Sequence, residues 1–458
     1  MANFMNATVD LPVPSEASVS GRRPICDGGP DSAPHPAYFR ERQQAAWENF
    51  AQLPMPVRTD EAWRFSDIKA LDLSHFHRAK AVAETDAAAL LARSTGLAET
   101  AGRMVFANDR LLAQEFHGAK DEGLRAKGVL WMPLEQAIAT QRDVIEKYFM
   151  REGAIIGSKK FSALHESQVR NGTFLYIPRG VEIALPIECF HWSQGEGTAV
   201  FPHTLIIAEP MSKVTFLDCF QSAGDESGLA CGSNDIIVGD GAKVTYVTLQ
   251  QWNRATLAFH LNNTTVARDA HALALGLNLG GRYVRCEAVS HLRGAGGRSD
   301  MLSITSAEGS QWVDQRTLQI HEAPHTASDL LYKNALNDRS RTIFTGLIRV
   351  DPGAHKTDAY QKVRNLLLTD EVESNSAPGL EIEADDVRCS HGATAGQVDA
   401  EELFYLLSRG IPLREAQRLM VFGFLNEVIE RLPDERIQKI LRDRLHASIR
   451  TPAAIGAL

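Results

Sequence analysis

Residues 209–216 read EPMSKVTF, and residues 239–246 read GDGAKVTY. Both stretches contain a turn followed by a strand of β-favouring residues, and they lie 30 residues apart. A looser copy, ARDAHALAL at 267–275, follows 28 residues later, and related turns recur in AEGSQWV (307–313) and DPGAHKT (351–357). A turn and strand that return at this spacing are typical of a β-solenoid, because each coil buries its apolar face only by stacking on the next coil.

The sequence around these repeats supports the same fold. From residue 161 to residue 396, β-rich runs such as TFLYIP, TLIIA, DIIVG and RTIFTGLIRV alternate with short turns, and no helix-length period appears. We therefore predict a mainly β protein with a parallel β-helix over 161–396. A β-sandwich or double barrel is the alternative, since the repeat is degenerate, although a sandwich usually stops after about seven to nine strands.

Helical patterns flank this β region. Apolar residues recur at three and four positions in YFRERQQAAWENF and PLEQAIATQRDVIEKYFM, which predicts an N-terminal helical domain over 36–160, with a small strand pair around RMVFANDRL. The helical period returns over 397–458, where Asp399 and Glu402 resemble a capping box, and this predicts a C-terminal helical domain. Residues 1–35 are rich in Pro, Ser, Gly and Ala, and we predict a disordered arm there.

Composition narrows the class of protein. The chain has 458 residues, 44% hydrophobic and 23% charged, as in an ordinary globular protein, and its net charge of -9 without a basic cluster argues against nucleic acid or an anionic membrane as a partner. No stretch reaches the roughly 20 apolar residues that a membrane helix needs, and no signal peptide is apparent, so we predict a cytoplasmic protein. The six cysteines occur singly, which argues against a disulfide framework or a ribbon-type zinc site.

Sequence motifs for common enzyme classes are absent or defective. HEAPH at 321–325 matches the H-E-x-x-H pattern of zinc proteases, but Pro324 is incompatible with the helix that this motif requires, and the stretch lies inside the β region. The chain has no P-loop, no G-x-G-x-x-G and no G-x-S-x-G. We therefore expect neither a zinc hydrolase using His321 and His325 nor nucleotide hydrolysis by this chain.

The segment RCSHGATAG, at 388–396, is the strongest candidate for chemistry. If it begins with a strand, alternation places Cys389 and His391 on one face, where they could share one ion or act as thiol and base. A Cys-x-His pair in a β-rich segment also serves ordinary packing. The residues alone do not decide between the two interpretations.

Three longer segments closely resemble the SufB/SufD family of iron-sulfur cluster assembly scaffolds. They are PVRTDEAWRFSDI (56–68), YKNALNDRSRTIFTGLIRVDPGAHKTDAYQKVRNLLLTDE (332–371) and LEIEADDVRCSHGATAGQVDAEELFYLLSRGI (380–411). The likeness covers roughly residues 36–450, and its specific part is the C-terminal half, where GAHKTDAY, NLLLTDE, EADDVRCSHGAT and LFYLLSRG follow the family's order. The stretch SNSAPGLEIE (374–383) departs from the T-K-P-x-L-E-I-Y pattern of many SufD-like chains.

The resemblance implies a right-handed parallel β-helix between helical ends and a non-catalytic role. It implies a complex with a SufC-like ABC ATPase and a SufB-like paralogue, in which the two paralogues pair through their β-helices. Such a complex builds a nascent cluster from iron and persulfide sulfur and transfers it to apoproteins. The resemblance does not decide whether the chain forms a homodimer when it is alone. It also does not decide whether the complex binds reduced flavin, as it does in some family members. No cofactor is expected to stay on the isolated chain.

The same resemblance identifies the chain as SufD-like. SufB-like chains have a cysteine just before a D-A-L-L-like run and His-Glu before Ala-Thr, whereas Arg364 and Gly392 occupy those places here. In SufD-like chains the histidine of CSHGAT, here His391, is implicated in cluster assembly at the SufB interface, and a neutral imidazole can ligate iron. Cys389 is either a second ligand or a buried thiol.

The C-terminal helices carry more apolar residues than one helix pair needs, and we expect part of this surface to dock the ATPase. The candidate docking residues are Leu403, Phe404, Leu407, Leu419, Phe422, Phe424 and Val428. The alternative function is a parallel β-helix carbohydrate-active enzyme, which needs paired carboxylates or calcium-binding aspartates on one face. Asp385 and Asp386 are the nearest match, but adjacent residues in a strand point to opposite faces.

Overall fold

The protein begins with a mixed region of helices and short strands. The structure, a computed structural model, describes residues 24–116 and 120–449. The helices of this first region are α1 (Ala37–Gln52), α2 (Glu84–Arg93), α3 (Lys120–Ala126), α4 (Leu134–Thr140), α5 (Arg142–Tyr148) and α6 (Lys159–Gln168), with short 3-10 helices at Glu61–Trp63 and Ile68–Ala70. Its strands are β1 (His77–Arg78), β2 (Gly102–Ala107), β3 (Arg110–Phe116) and β4 (Leu130–Pro133).

A long run of strands follows, and then three helices. The strands are β5 (Gly172–Ile177), β6 (Ile187–Ser193), β7 (Thr198–Val200), β8 (His203–Ala208), β9 (Lys213–Ser222), β10 (Gly228–Val238), β11 (Lys243–Gln251), β12 (Thr256–Val266), β13 (His271–Asn278), β14 (Tyr283–Leu292), β15 (Arg298–Ala307), β16 (Trp312–His321), β17 (Ala327–Leu336), β18 (Arg341–Val350), β19 (Asp358–Leu367), β20 (Glu373–Ile382) and β21 (Arg388–Gln397). The closing helices are α7 (Ala400–Ser408), α8 (Leu413–Ile429) and α9 (Glu435–Ser448).

These strands form a parallel β-solenoid of two facing sheets. From β8 onward the even-numbered strands join one sheet and the odd-numbered strands from β9 onward join the other, so each coil contributes one strand to each sheet. Lys213 pairs in register with Lys243, and Lys243 pairs with His271, which are the 30- and 28-residue offsets seen in the sequence. The prediction of a mainly β protein with a parallel β-helix between helical ends is confirmed.

Antiparallel strands close the beginning of the solenoid. The expected strand pair around RMVFANDRL is present as antiparallel β2 and β3, and β4 pairs antiparallel with β5. Because β2 also joins β6 in parallel, this hairpin continues one sheet beyond the first coil. The sheet edges at this end of the solenoid are therefore covered by strands of the chain itself.

The outer face of the odd-numbered sheet is covered by the C-terminal helices. Its leucines, including Leu249 and Leu275, pack with Val421, Leu425 and Val428 of α8 in one large apolar cluster that α9 completes. The helix α8 lies against β15 and β17. The C-terminal helices therefore lie along the side of the solenoid and leave its last coil uncovered.

The outer face of the even-numbered sheet holds the N-terminal segment through a buried ionic network. Asp314 Oδ2 lies 2.7 Å from Arg285 Nη1, and Asp314 Oδ1 lies 2.6 Å from Arg316 Nε. The hydroxyl of Ser66 donates to the same carboxylate, and the guanidinium of Arg285 stacks 3.8 Å from the centre of the Trp63 ring. The stretch PVRTDEAWRFSDI thus anchors the N-terminal region to the solenoid.

Part of the predicted disordered arm is packed. The side chain of Ile25 is buried, and its N–H donates to the Phe76 carbonyl, while Asp31 forms an ion pair with Arg170 at 2.9 Å. These contacts are to residues far along the chain, so the local composition of this stretch gave no sign of them. Residues 1–23 of the predicted arm, and 450–458 of the predicted C-terminal domain, lie outside the described residues.

Within 24–116 and 120–449, no helix combines the length and the apolar content that crossing a bilayer requires.

Candidate functional site

His391 and Cys389 lie on the last strand of the solenoid. In β21, His391 pairs in register with Gln361 of β19, and Cys389 pairs with Ala359. The Gln361 side chain is buried and its amide donates to the Thr317 hydroxyl of the opposite sheet, so this face of β19 points into the solenoid. Residues in register on neighbouring parallel strands share a face, and both Cys389 and His391 therefore continue the inner face.

The inner face is open to solvent at this coil. His391 is exposed on this face, and the adjacent Gly392, on the opposite face, is also exposed: a Cβ atom placed on it would meet no heavy atom within 4 Å. Among the described strands, β20 pairs only with β18 and β21 pairs only with β19. The end of the solenoid therefore presents two strand edges, with unpaired backbone groups, around an uncapped interior.

Cys389 is less accessible than His391. Its half-buried side chain packs with Ile348, Val350 and Ala359 in a small apolar cluster beneath the last coil. Burial, followed by the charge of Asp358, raises the pKa of the Cys389 thiol. In the isolated chain this thiol is therefore protonated at neutral pH, and ligation of a metal would require loss of its proton.

Arg364 occupies the place where the resemblance to SufB-like sequences would put a cysteine. It lies on β19, one residue beyond Val363. Because Val363 is buried on the inner face, Arg364 lies on the outer face, opposite to the face that carries His391. It lines a groove with Lys333, Glu427 and Phe424 next to α8. No thiol is available at this position, so sulfur chemistry there is excluded.

The HEAPH segment does not form a zinc site. His321 is buried at the end of β16, where Nδ1 lies 2.7 Å from the Thr326 hydroxyl and Nε2 lies 2.9 Å from the Ser328 hydroxyl. His325 is exposed in a turn with a left-handed backbone, φ 59°. The two histidines therefore do not share one helical face, in agreement with the sequence prediction.

The burial of His321 makes stability depend on pH. Burial lowers the pKa of His321 and His260 to about 4 and that of His165 to about 3. Between about pH 6.5 and pH 4 the unfolded chain binds a proton at each of these side chains and the folded chain does not. Stability is therefore lost as pH falls through this window, by about 1.4 kcal/mol per pH unit for each histidine.

We expect His321→Gln to reduce this pH dependence by about one proton, because the unfolded variant binds one proton fewer. The measurement is the free energy of unfolding in urea at several pH values between 5 and 7. His75→Gln, which changes an exposed histidine, serves as the control. An unchanged slope in His321→Gln would contradict the assignment of a neutral buried imidazole.

The seven apolar residues predicted to dock an ATPase do not share one environment. Phe404, Leu407 and Leu419 are exposed and Leu403 is half-buried. By contrast, the half-buried Phe422 ring stacks on His446 of α9 and half-buried Phe424 lies beneath Lys333. Val428 is fully buried on the face of α8 that packs on the β-helix, so it is not accessible to a partner in the isolated chain.

The exposed residues of this set concentrate on α7. Phe404 is 71% exposed and Tyr405, which the sequence prediction omitted, is 57% exposed. No residue of α7 is buried, although the helix is rich in apolar residues. Asp399 caps its first turn by accepting from the N–H groups of Glu401 and Glu402. The helix α7 is therefore well formed and contacts α8, but no described part of the chain covers the face that carries Phe404 and Tyr405.

A second group of metal-ligating side chains lies inside the solenoid. Cys189 and His191 of β6 and Asp218 of β9 place one ligand atom each within 4.8 Å of the others, and all three residues are buried. The sequence prediction missed this group. Its local signal is a second Cys-x-His pair, and Asp218 follows one coil later in register with Cys189.

Comparison with known proteins gives matches along most of the chain. Residues 191–424 match the family model described as SUF system FeS cluster assembly, SufBD core domain, and residues 33–189 match the SufBD protein N-terminal region. The iron-sulfur cluster assembly protein SufD of Bacillus subtilis is 32% identical over 329 residues, which are 71% of this chain and 75% of the relative.

Two further relatives give a similar result. SufD of Escherichia coli is 32% identical over 295 residues, covering 63% of this chain and 70% of the relative. An iron-sulfur cluster assembly SufBD family protein of Synechocystis is 27% identical over 414 residues, covering 88% of this chain and 89% of the relative.

Proposed function

This chain belongs to the SufBD family of iron-sulfur cluster assembly proteins, and we propose that it is the SufD-like scaffold subunit of a SufBCD-type complex that assembles clusters and transfers them to apoproteins. The observation that carries the proposal is the open last coil, which presents His391 on an uncapped inner face. Iron, sulfide and the nascent cluster are cargo of this scaffold, and we assign no flavin site to this chain.

The open coil supports pairing with a SufB-like paralogue through the β-helices. The free edges of β20 and β21 offer unpaired N–H and C=O groups to strands of a second solenoid. Such a partner would also cover Leu380 and Cys389, the partly buried apolar side chains that pack on this end of the solenoid. It would bring its own ligands to the space that His391 faces.

In this complex, His391 acts as an iron ligand or proton carrier, and Cys389 is the candidate for a second ligand. Cluster iron is commonly held by four protein ligands for each cluster, more than these two side chains supply, so the remaining ligands are assigned to the partner. Replacing thiolate by imidazole in such a shell alters the potential and the lability of the cluster. A labile shell suits a scaffold that must release its product.

We assign the docking of a SufC-like ABC ATPase to α7 and the start of α8. Phe404, Tyr405, Leu407 and Leu419 expose large apolar side chains on these two helices. Exposed apolar groups of this size, on a helix with no buried residue, are typical of an interface. The ATPase would supply the nucleotide chemistry for which this chain carries no P-loop.

The proposed location is the cytoplasm. All six cysteines are free thiols, and Cys189, Cys219 and Cys231 are buried. Free thiols in this number are typical of a reducing compartment.

The alternative function as a carbohydrate-active enzyme is not favoured. Asp386 lies in a turn with φ 55° and pairs with Lys356 at 2.8 Å, while Asp385 is exposed beside it. The two carboxylates are not held on opposite sides of a common cleft, which glycoside hydrolysis requires.

Affinity purification tests the proposed function directly. The tagged full-length chain would be isolated from its native cytoplasm, and the proteins that co-purify would be identified. We expect an ABC-type ATPase and a SufB-like paralogue in comparable amounts. Recovery of the chain without either protein would contradict the proposal.

We expect Phe404→Asp to reduce co-purification of the ATPase at least about tenfold, because a carboxylate in an apolar contact must be desolvated. The melting temperature should stay nearly unchanged, since the Phe404 ring is exposed in the isolated chain. The control is Met211→Asp, at a side chain that is 65% exposed on a turn of the solenoid. Full ATPase recovery with Phe404→Asp would exclude α7 as the docking site.

A further inference from the structure

The buried group formed by Cys189, His191 and Asp218 has the geometry of a metal site. His191 Nε2 lies 3.2 Å from Cys189 Sγ and 3.1 Å from Asp218 Oδ1. Ligand atoms around a tetrahedral zinc ion lie about 3.3–3.6 Å apart, as follows from metal–ligand distances of about 2.0–2.3 Å. The two distances at His191 are close to this range, and the ligand atoms of Cys189 and Asp218 lie within 4.8 Å of each other, so side-chain adjustment would place all three atoms around one ion.

Surrounding side chains hold these donors in place. The His191 ring stacks between the rings of Phe106 and Phe220, with centroid distances of 5.2 and 5.1 Å. The hydroxyls of Thr204 and Tyr246 both donate to Asp218 Oδ2, at 2.6 and 2.8 Å. Because these two hydroxyls hold Oδ2, the other oxygen, Oδ1, is left for the other two ligands. Hydrogen bonds to a ligating carboxylate commonly orient it in metal sites.

The negative charge of the Asp218 carboxylate has no lysine or arginine partner among the described residues. The carboxylate is also fully buried. Its Oδ1 accepts no hydrogen bond from described groups, because His191 Nε2 is close but not in hydrogen-bond geometry. A buried carboxylate without a cation is costly, and a bound metal ion would remove that cost.

We propose that Cys189 Sγ, His191 Nε2 and Asp218 Oδ1 bind one divalent transition-metal ion, zinc by preference, inside the solenoid. A thiolate, an imidazole and a carboxylate are all ligands that zinc accepts, whereas calcium and magnesium require oxygen ligands. This proposal does not rest on the scaffold function, and the site is separate from His391 at the open end.

An internal cavity lies next to this group of side chains. The cavity, ≈ 70 Å³ in volume, is lined by Tyr246, whose hydroxyl donates to Asp218, and it continues along later coils past His260 and Cys286.

Cobalt(II) titration of the metal-free full-length chain tests the proposal, followed by displacement with zinc. We expect one cobalt ion per chain, with thiolate-to-cobalt charge-transfer absorption and the visible bands of a tetrahedral ion. Cys189→Ser should abolish the charge-transfer band, and Asp218→Asn should weaken binding at least about tenfold. Zinc should raise the melting temperature of the unchanged chain but not that of Asp218→Asn.

Two matched variants are the controls. Cys219→Ser changes a buried thiol adjacent to Asp218, on the opposite face of β9, and Cys389→Ser changes the thiol at the open end. Both should keep the band. Absence of cobalt binding, or an unchanged band in Cys189→Ser, would overturn the proposal. If Cys189→Ser does not fold, as judged by circular dichroism, His191→Gln and Asp218→Asn decide the outcome by loss or retention of the bands.

Discussion

His391→Ala is expected to lower cluster maturation in cells by an order of magnitude or more, while the melting temperature and the partner complex stay nearly unchanged. The imidazole is exposed on the last coil, so its removal costs little packing energy. It also lies on the inner face at the proposed SufB interface, where iron would be bound. The measurement is the activity of a cluster-dependent enzyme in cells whose only copy is the variant.

Two variants serve as comparisons for this experiment. Cys389→Ser should have a weaker effect, because Cys389 is half-buried among apolar side chains and is less accessible to iron than His391. Arg364→Ala should cause no loss of sulfur chemistry, because it removes no thiol. Unchanged maturation in His391→Ala would refute the site assignment, and a large fall in melting temperature would instead indicate a structural histidine.

Asp314→Ala is expected to destabilise the fold by about 3–5 kcal/mol, the usual cost of breaking a buried ion pair by removing one partner. The carboxylate is fully buried between Arg285 and Arg316, both of which are also buried. Burial alone would raise the pKa of Asp314, but the two guanidinium groups lower it below its usual value. The variant would leave two buried cations without this carboxylate.

Asp314→Ala should also release residues 56–68 from the solenoid, because Ser66 donates to Asp314 and Trp63 stacks on Arg285. The measurement is the urea midpoint of unfolding, together with protease cleavage around residues 56–68. Glu182→Ala is the control, since Glu182 and Lys213 form an exposed ion pair whose loss should change the stability little. Equal effects of the two variants would show that the buried network does not stabilise this contact.

The sequence by itself determined the solenoid fold and showed that Cys389 and His391 share one face of its last strand. Successive coils have nearly the same length, so EPMSKVTF and GDGAKVTY return at the spacing that stacks Lys213 on Lys243. Side chains alternate along a strand, and for that reason Cys389 and His391 could be placed on one face before their surroundings were known. Both inferences depend only on local backbone geometry.

Contacts between distant segments were decided only by the tertiary structure. The packing of Ile25, the approach of Ser66 to Asp314 and the meeting of His191 with Asp218 join residues whose local sequence gives no sign of their partners. Likewise, Phe404 and Val428 look alike as apolar helix residues, but one is exposed and the other buried. The periodicity of a sequence shows which residues share a face of a strand or helix. The register between coils and the packing of the helices determine which residues that face contacts.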